Sequence, residues 1–213
     1  MTRAIFLLPL LLLAHLNPLQ AAPGVEEWNF RVYLDDTPAG YHRFTLTETV
    51  AGRELRSEAH FDVKLLLFTA YSYRHKATES WRGDCLTGLE ASTDDNGDST
   101  AVKGMLEAGR FRLTTNRTPI DLPACVMTFA YWNPDMIAQK RLLNPQTGEY
   151  TAVTISPQGE EKIAVKGVER TARRYRLDAG KVQIDLWYGT EDRRWLALDS
   201  KLDNGRKLLY RLE

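Results

Sequence analysis

The segment YSYRHKATESW, residues 71–81, alternates in a way that places Tyr71, Tyr73, His75, Ala77 and Glu79 on one side. Ser72, Arg74, Lys76, Thr78 and Ser80 fall on the other. A histidine beside a carboxylate can do general acid–base work, provided the two come within hydrogen-bond reach, about 3 Å. His75 and Glu79 are four residues apart along an extended chain, about 13 Å, so they share a face without touching. His42 and His60 could meet His75 only across neighbouring strands, and nothing in the spacing requires it. The expectation is therefore structurally hydrogen-bonded or solvated histidines, with an enzyme using His75 or His42 as the alternative.

Other catalytic patterns are missing: the chain has no G-x-S-x-G, no H-E-x-x-H, no phosphate loop and no dinucleotide fingerprint. Nothing has CxxC spacing and His42, His60 and His75 stand singly, so neither a metal nor a cofactor is expected. The acidic TDDNGD lacks the bidentate acid that completes a calcium loop and reads better as a hairpin turn. Asn116 opens an NRT sequon, which matters only in a eukaryotic secretory pathway.

Binding chemistry is better represented. CVMTFAYWNP, residues 125–134, packs Phe129, Tyr131 and Trp132 between a cysteine and an Asn-Pro turn. Such rings either line an apolar pocket, with the Tyr131 hydroxyl and Trp132 indole N–H orienting a ligand, or plug the core; large aromatics do the second more often. Tyr71, Tyr73 and His75, on one face of a nearby strand, complete the candidate ligand-binding set. Leu65, Leu66, Leu67 and Phe68 are consecutive, so a flat strand must turn two of them outward; a corner buried on both sides is expected, and a lipid- or partner-facing surface is the alternative.

Strands must position these groups. In EEWNFRVYL the residues Trp28, Phe30, Val32 and Leu34 share a face, the pattern of a half-buried strand, and similar runs follow. Turn signals separate them: DDTPAG, DDNGD, EAGR, SPQGE, DAGK and DNGR. About a dozen antiparallel strands at this spacing predict an all-β meander forming a barrel or curved half-barrel. Residues 119–144 break the rhythm with three prolines; Asn133 and Pro134 can start a short helix over DMIAQKRLL, making a loop-and-helix insertion over an open end of the sheet.

The chain begins with Arg3 followed by an apolar run over residues 4–13 and a small-residue junction near Ala21 and Ala22. This reads as a secretory signal peptide, residues 1–22, too short for a membrane span and with no cysteine for lipid attachment. Residues 23–213 are expected to form one periplasmic or secreted domain. The 28 basic and 28 acidic residues balance, and loss of Arg3 leaves one acid in excess. Such a chain has no electrostatic reason to bind nucleic acid. Two cysteines, Cys85 and Cys125, in an exported chain predict a single disulfide, with a pair of inert buried thiols as the alternative.

The runs SEAHFDVKLLLFTAYSYRHKATESWRGDCL, ACVMTFAYWNP with LLNPQTGEY, and IDLWYGTEDRRWLALDSKLDNGRKLLYRL resemble a family of secreted bacterial proteins, the domain of unknown function DUF6134, over nearly the whole mature chain. The resemblance implies a periplasmic β-rich protein and brings no activity or site residues. The last hairpin also resembles those of periplasmic half-barrels that hold or carry lipids, a likeness of fold alone. These readings converge on a non-catalytic carrier of a lipid-like or amphiphilic ligand, without cofactor. An envelope-assembly module acting through an edge strand on a protein partner is a further alternative.

Overall fold

The computed structural model describes residues 24–65, 68–116, 119–202 and 205–213, with backbone only at 64, 65, 68 and 69. The leader read over residues 1–22 lies outside the described residues, as do Leu66 and Leu67 of the leucine run.

Alternation and turn chemistry generate a first meander of eight strands: β1 (Val25–Leu34), β2 (Thr37–Thr49), β3 (Gly52–Leu65), β4 (Phe68–Arg82), β5 (Cys85–Asp95), β6 (Asp98–Glu107), β7 (Arg110–Thr114) and β8 (Ile120–Leu122). Two short strands follow, β9 (Arg141–Leu143) and β10 (Tyr150–Ala152), which pair with each other outside the main sheet, Leu143 also bridging to Thr128. A second meander comprises β11 (Thr154–Val165), β12 (Val168–Ala179), β13 (Val182–Gly189), β14 (Trp195–Lys201) and β15 (Lys207–Leu212). β15 pairs with β1, Leu212 opposite Phe30, so the two meanders fuse into one antiparallel sheet of 13 strands. The sheet is not closed: β8 and β11 are its edges.

The DDNGD turn forms as its residues demand, with Asn96 and Gly97 at φ of 54° and 98°, the left-handed values of a tight hairpin. SPQGE does not turn the chain. It lies inside β11 as a bulge between Pro157 and Gly159, and the turn comes later, at Lys166 and Gly167. A proline that cannot donate to the ladder is tolerated here because β11 is an edge.

One apolar cluster unites both meanders and the insertion. Phe30 packs on Trp195 with ring centroids 4.3 Å apart, Trp195 on Tyr131 at 5.4 Å, and Trp81 on Trp132 at 5.5 Å. The sheet therefore curls around the insertion. Asn133 caps a short helix as the sequence suggests, its side-chain oxygen accepting from the Asp135 N–H, but this is a single 3-10 turn, Pro134–Ala138, rather than two α-helical turns. The rest of DMIAQKRLL extends into β9 because extended backbone satisfies more partners. Leu143 N–H donates to Met127 carbonyl oxygen, the Leu143 carbonyl accepts from Phe129 N–H, and Leu142 and Leu143 are fully buried. Tertiary pairing here overrides helix propensity.

The insertion is fastened at both ends. Cys125 is bonded to Cys85 at the start of β5, with Cα atoms 4.7 Å apart, and Leu86 N–H donates to the Val126 carbonyl at 2.9 Å. On the far side the Tyr188 hydroxyl donates to the Tyr131 carbonyl at 2.9 Å, and Arg193 pairs with Asp135 at 2.7 Å. Among the described residues no helix is long and apolar enough to cross a membrane.

Candidate functional site

Register decides which side chains meet on the buried face. His42 lies opposite Ala59, Ala59 opposite His75, and His75 opposite Thr93, one row across β2 to β5. The alanine between the two histidines is small enough to let their rings lean together, to 6.4 Å between centroids. Glu79 falls four residues further along β4, between Leu55 and Leu89, so its flanks are apolar.

This face borders a cavity of about 320 Å³ between the sheet and the insertion. His42, His75 and Glu79 stand on one wall, Ile184, Leu198 and Tyr210 of the second meander on the other, and Phe129, Tyr131 and Trp132 form the lid. Asn144, Gln146, Glu149 and Thr151, from the β9–β10 hairpin, give it a polar rim. Four of the six ligand-binding residues expected from sequence thus converge: Phe129, Tyr131, Trp132 and His75. Tyr71 and Tyr73 pack beside the cavity rather than along it, and Tyr73 is buried with its ring stacked on Phe61 at 5.2 Å. His42, Glu79 and Tyr210 join them through register and sheet curvature, which neither alternation nor spacing reveals.

Each polar group has a particular tie. His42 Nδ1 is 3.3 Å from the Tyr210 hydroxyl, its ring stacks on Phe44 at 4.0 Å, and its Nε2 is buried without a partner. Burial, with His75 nearby, holds its pKa well below the usual histidine value, while burial pushes Tyr210 well above the usual phenol value. His75 Nδ1 lies 2.9 Å from Thr93 Oγ1, whose hydroxyl donates to the Gln146 carbonyl at 3.3 Å. Burial lowers the His75 pKa to about 4. Both histidines are therefore neutral near pH 7.

Glu79, 4% exposed, accepts from Trp81 Nε1 and Thr128 Oγ1, each at 3.1 Å and both onto Oε2. Burial raises its pKa to about 7 in spite of those two bonds. A carboxyl that prefers its proton when folded binds more protons than the unfolded chain between its ordinary value of 4.5 and about 7, so its contribution to stability falls as pH rises through that window. The loss is on the order of 3 kcal/mol. The depressed histidines act in the opposite sense, so the carboxyl must be isolated by difference. The stability of Glu79→Gln minus that of the wild type, from urea unfolding at several pH values, is expected to rise between pH 4.5 and 7 and then level off. A difference flat with pH would refute the buried acid.

Two other concavities are of another kind. One of about 570 Å³ runs over the outer face of the first meander between charged side chains already paired, Lys76 with Glu58 and Lys103 with Glu90. A groove of about 520 Å³ lies outside the lid, where Arg53 stacks on Trp132 and Arg194 on Trp28. Its arginines are also engaged, Arg53 with the Gly83 carbonyl and Arg194 with the Glu27 carbonyl. Among the described residues no three histidine, cysteine or carboxylate side chains cluster as a metal site would require.

Residues 30–213 match the model of a family described as Domain of unknown function (DUF6134). No curated protein matches the chain. Among solved structures, similarity is found to the crystal structure of a beta-barrel-like protein of the domain of unknown function DUF1849 from Brucella abortus. The TM-score is 0.64 at 10% identity, covering 90% of this chain and 96% of that one. At that identity the likeness is one of fold.

Proposed function

The chain belongs to the DUF6134 family, and from its cavity we propose that it is a non-catalytic periplasmic binding or carrier protein for a small amphiphilic ligand. The observation that carries this reading is a partly open space bounded by apolar side chains of both meanders and by aromatic rings of the insertion, with polar groups on the His42, His75 and Glu79 wall and at the β9–β10 rim. Ligand pockets are built this way: apolar walls supply affinity and a few fixed polar atoms supply orientation. At about 320 Å³ the cavity is near the lower end of the usual range, so it takes a small ligand or one end of a longer one.

The polar groups suit binding better than chemistry. His75 and Glu79 spend hydrogen bonds on Thr93, Trp81 and Thr128, which hold them in place, and the hydroxyls beside the two histidines, Thr93 and Tyr210, are themselves buried. The secretory reading of residues 1–22 and the Cys85–Cys125 bond support an oxidising compartment.

Native mass spectrometry of the protein purified from a bacterial periplasm, followed by solvent extraction, tests the proposal. A stoichiometric lipid-like adduct is expected, and it should be lost in Ala179→Phe, which places a ring in the cavity wall. A bare mass, or an adduct indifferent to Ala179→Phe, would count against a carrier and favour an assembly module.

A further inference from the structure

The cavity offers hydrogen-bond donors but no cation. Among its described lining residues there is no lysine and no arginine, whereas two carboxyl groups, Glu79 and Glu149, border it. The Tyr210 hydroxyl has no acceptor among the described residues other than His42 Nδ1; when it donates there, the imidazole hydrogen resides on Nε2. That N–H is buried, unpartnered and set in the cavity wall. The Trp132 indole N–H, in the lid, is buried and unpartnered as well.

A buried donor without an acceptor is costly, and most such groups in folded proteins are satisfied. Water can serve the empty site, but an entering ligand displaces it and must replace its bond or lose affinity. The three classes of polar head fare differently here. An ionised carboxylate or phosphate would be stripped of water beside two carboxyl groups with no counter-charge, which is strongly unfavourable. An ammonium would find partners in the carboxyl groups of Glu79 and Glu149 but would meet the Nε2–H as donor against donor and leave it unsatisfied. An uncharged oxygen acceptor satisfies the N–H and brings no charge inside.

Resting on the carrier reading, we propose that the ligand is an uncharged amphiphile whose polar end is a carbonyl or ester oxygen accepting from His42 Nε2–H. His42 is then the residue that reads the head group, and the apolar walls receive the chain.

The test compares three probes of one chain length, methyl octanoate, octanoate at pH 8 and octane, titrated into the protein and followed by tryptophan fluorescence and calorimetry. Methyl octanoate should bind at least about tenfold more tightly than octane, with octanoate the weakest. In His42→Phe, checked for an intact thermal transition, the ester should lose its advantage over octane. Equal binding of all three would overturn the head-group assignment while leaving the carrier reading in place, and an ester preference that survives His42→Phe would overturn the role of His42. Binding of none would sink the carrier reading, and this inference with it. Should His42→Phe fail to fold, the ranking of probes on the wild type decides.

Discussion

Cys85→Ser lowers the stability of the oxidised protein by about 2 to 4 kcal/mol. The bond closes a loop 40 residues apart in sequence, for which the chain-entropy relation gives about 4 kcal/mol as an upper figure. The native half of the argument is local. Cys125 precedes Val126, whose carbonyl accepts from Leu86 N–H, so the bond fixes the lid where it enters the sheet. Urea unfolding followed by tryptophan fluorescence should show a lower midpoint for Cys85→Ser. Adding a reductant should move the wild type toward the variant and leave the variant unchanged. An unaltered transition, with free thiols titrating in the native wild type, would remove the claim.

Trp132→Ala costs about 3 to 5 kcal/mol, the range for deleting a large buried aromatic side chain. Trp132 is 5% exposed, meets Trp81 edge to face at 5.5 Å and carries the Arg53 guanidinium 4.7 Å from its ring centre. Because this ring borders both the inner cavity and the outer groove, its removal should also join the two. Trp132→Phe, which restores most of the volume, should recover much of the loss. A near-neutral Trp132→Ala would mean that the ring does not seal the core. The sequence left a choice between pocket wall and plug for residues 125–134. In the structure the rings pack into the core and also bound a cavity.

How far the sequence could be read depended on whether the deciding interaction was local. Trp28, Phe30, Val32 and Leu34 are buried in alternation as their pattern predicts, and the Asn96–Gly97 turn follows from what those residues tolerate. Cysteine parity pointed to the one disulfide. WLALDS was harder, because Trp195, Leu196, Ala197 and Leu198 are all buried in succession. A register shift in β14 leaves Leu196 and Ala197 in a second small cluster with Trp187, while Trp195 and Leu198 belong to the main core. Bulges erase the alternation on which strand reading relies. The His42–Ala59–His75 row was hidden for a related reason: two hairpin registers must both be known before two histidines separated by a whole strand become neighbours.

Every strand pairing in the main sheet except one joins strands consecutive in the chain. The exception, β1 with β15, brings together residues 182 apart, as in the Arg31–Glu213 ion pair. A chain that emerges N-terminus first can assemble β1 to β8 hairpin by hairpin, yet the outer edge of β1 stays bare until the last strand arrives. Non-local pairings of this sort form slowly, and an unpaired edge is a site for wrong partners in the interval. The time between the delivery of β1 and of β15 is therefore the period in which this protein is most exposed to aggregation, and the rate at which the chain is delivered becomes a determinant of yield.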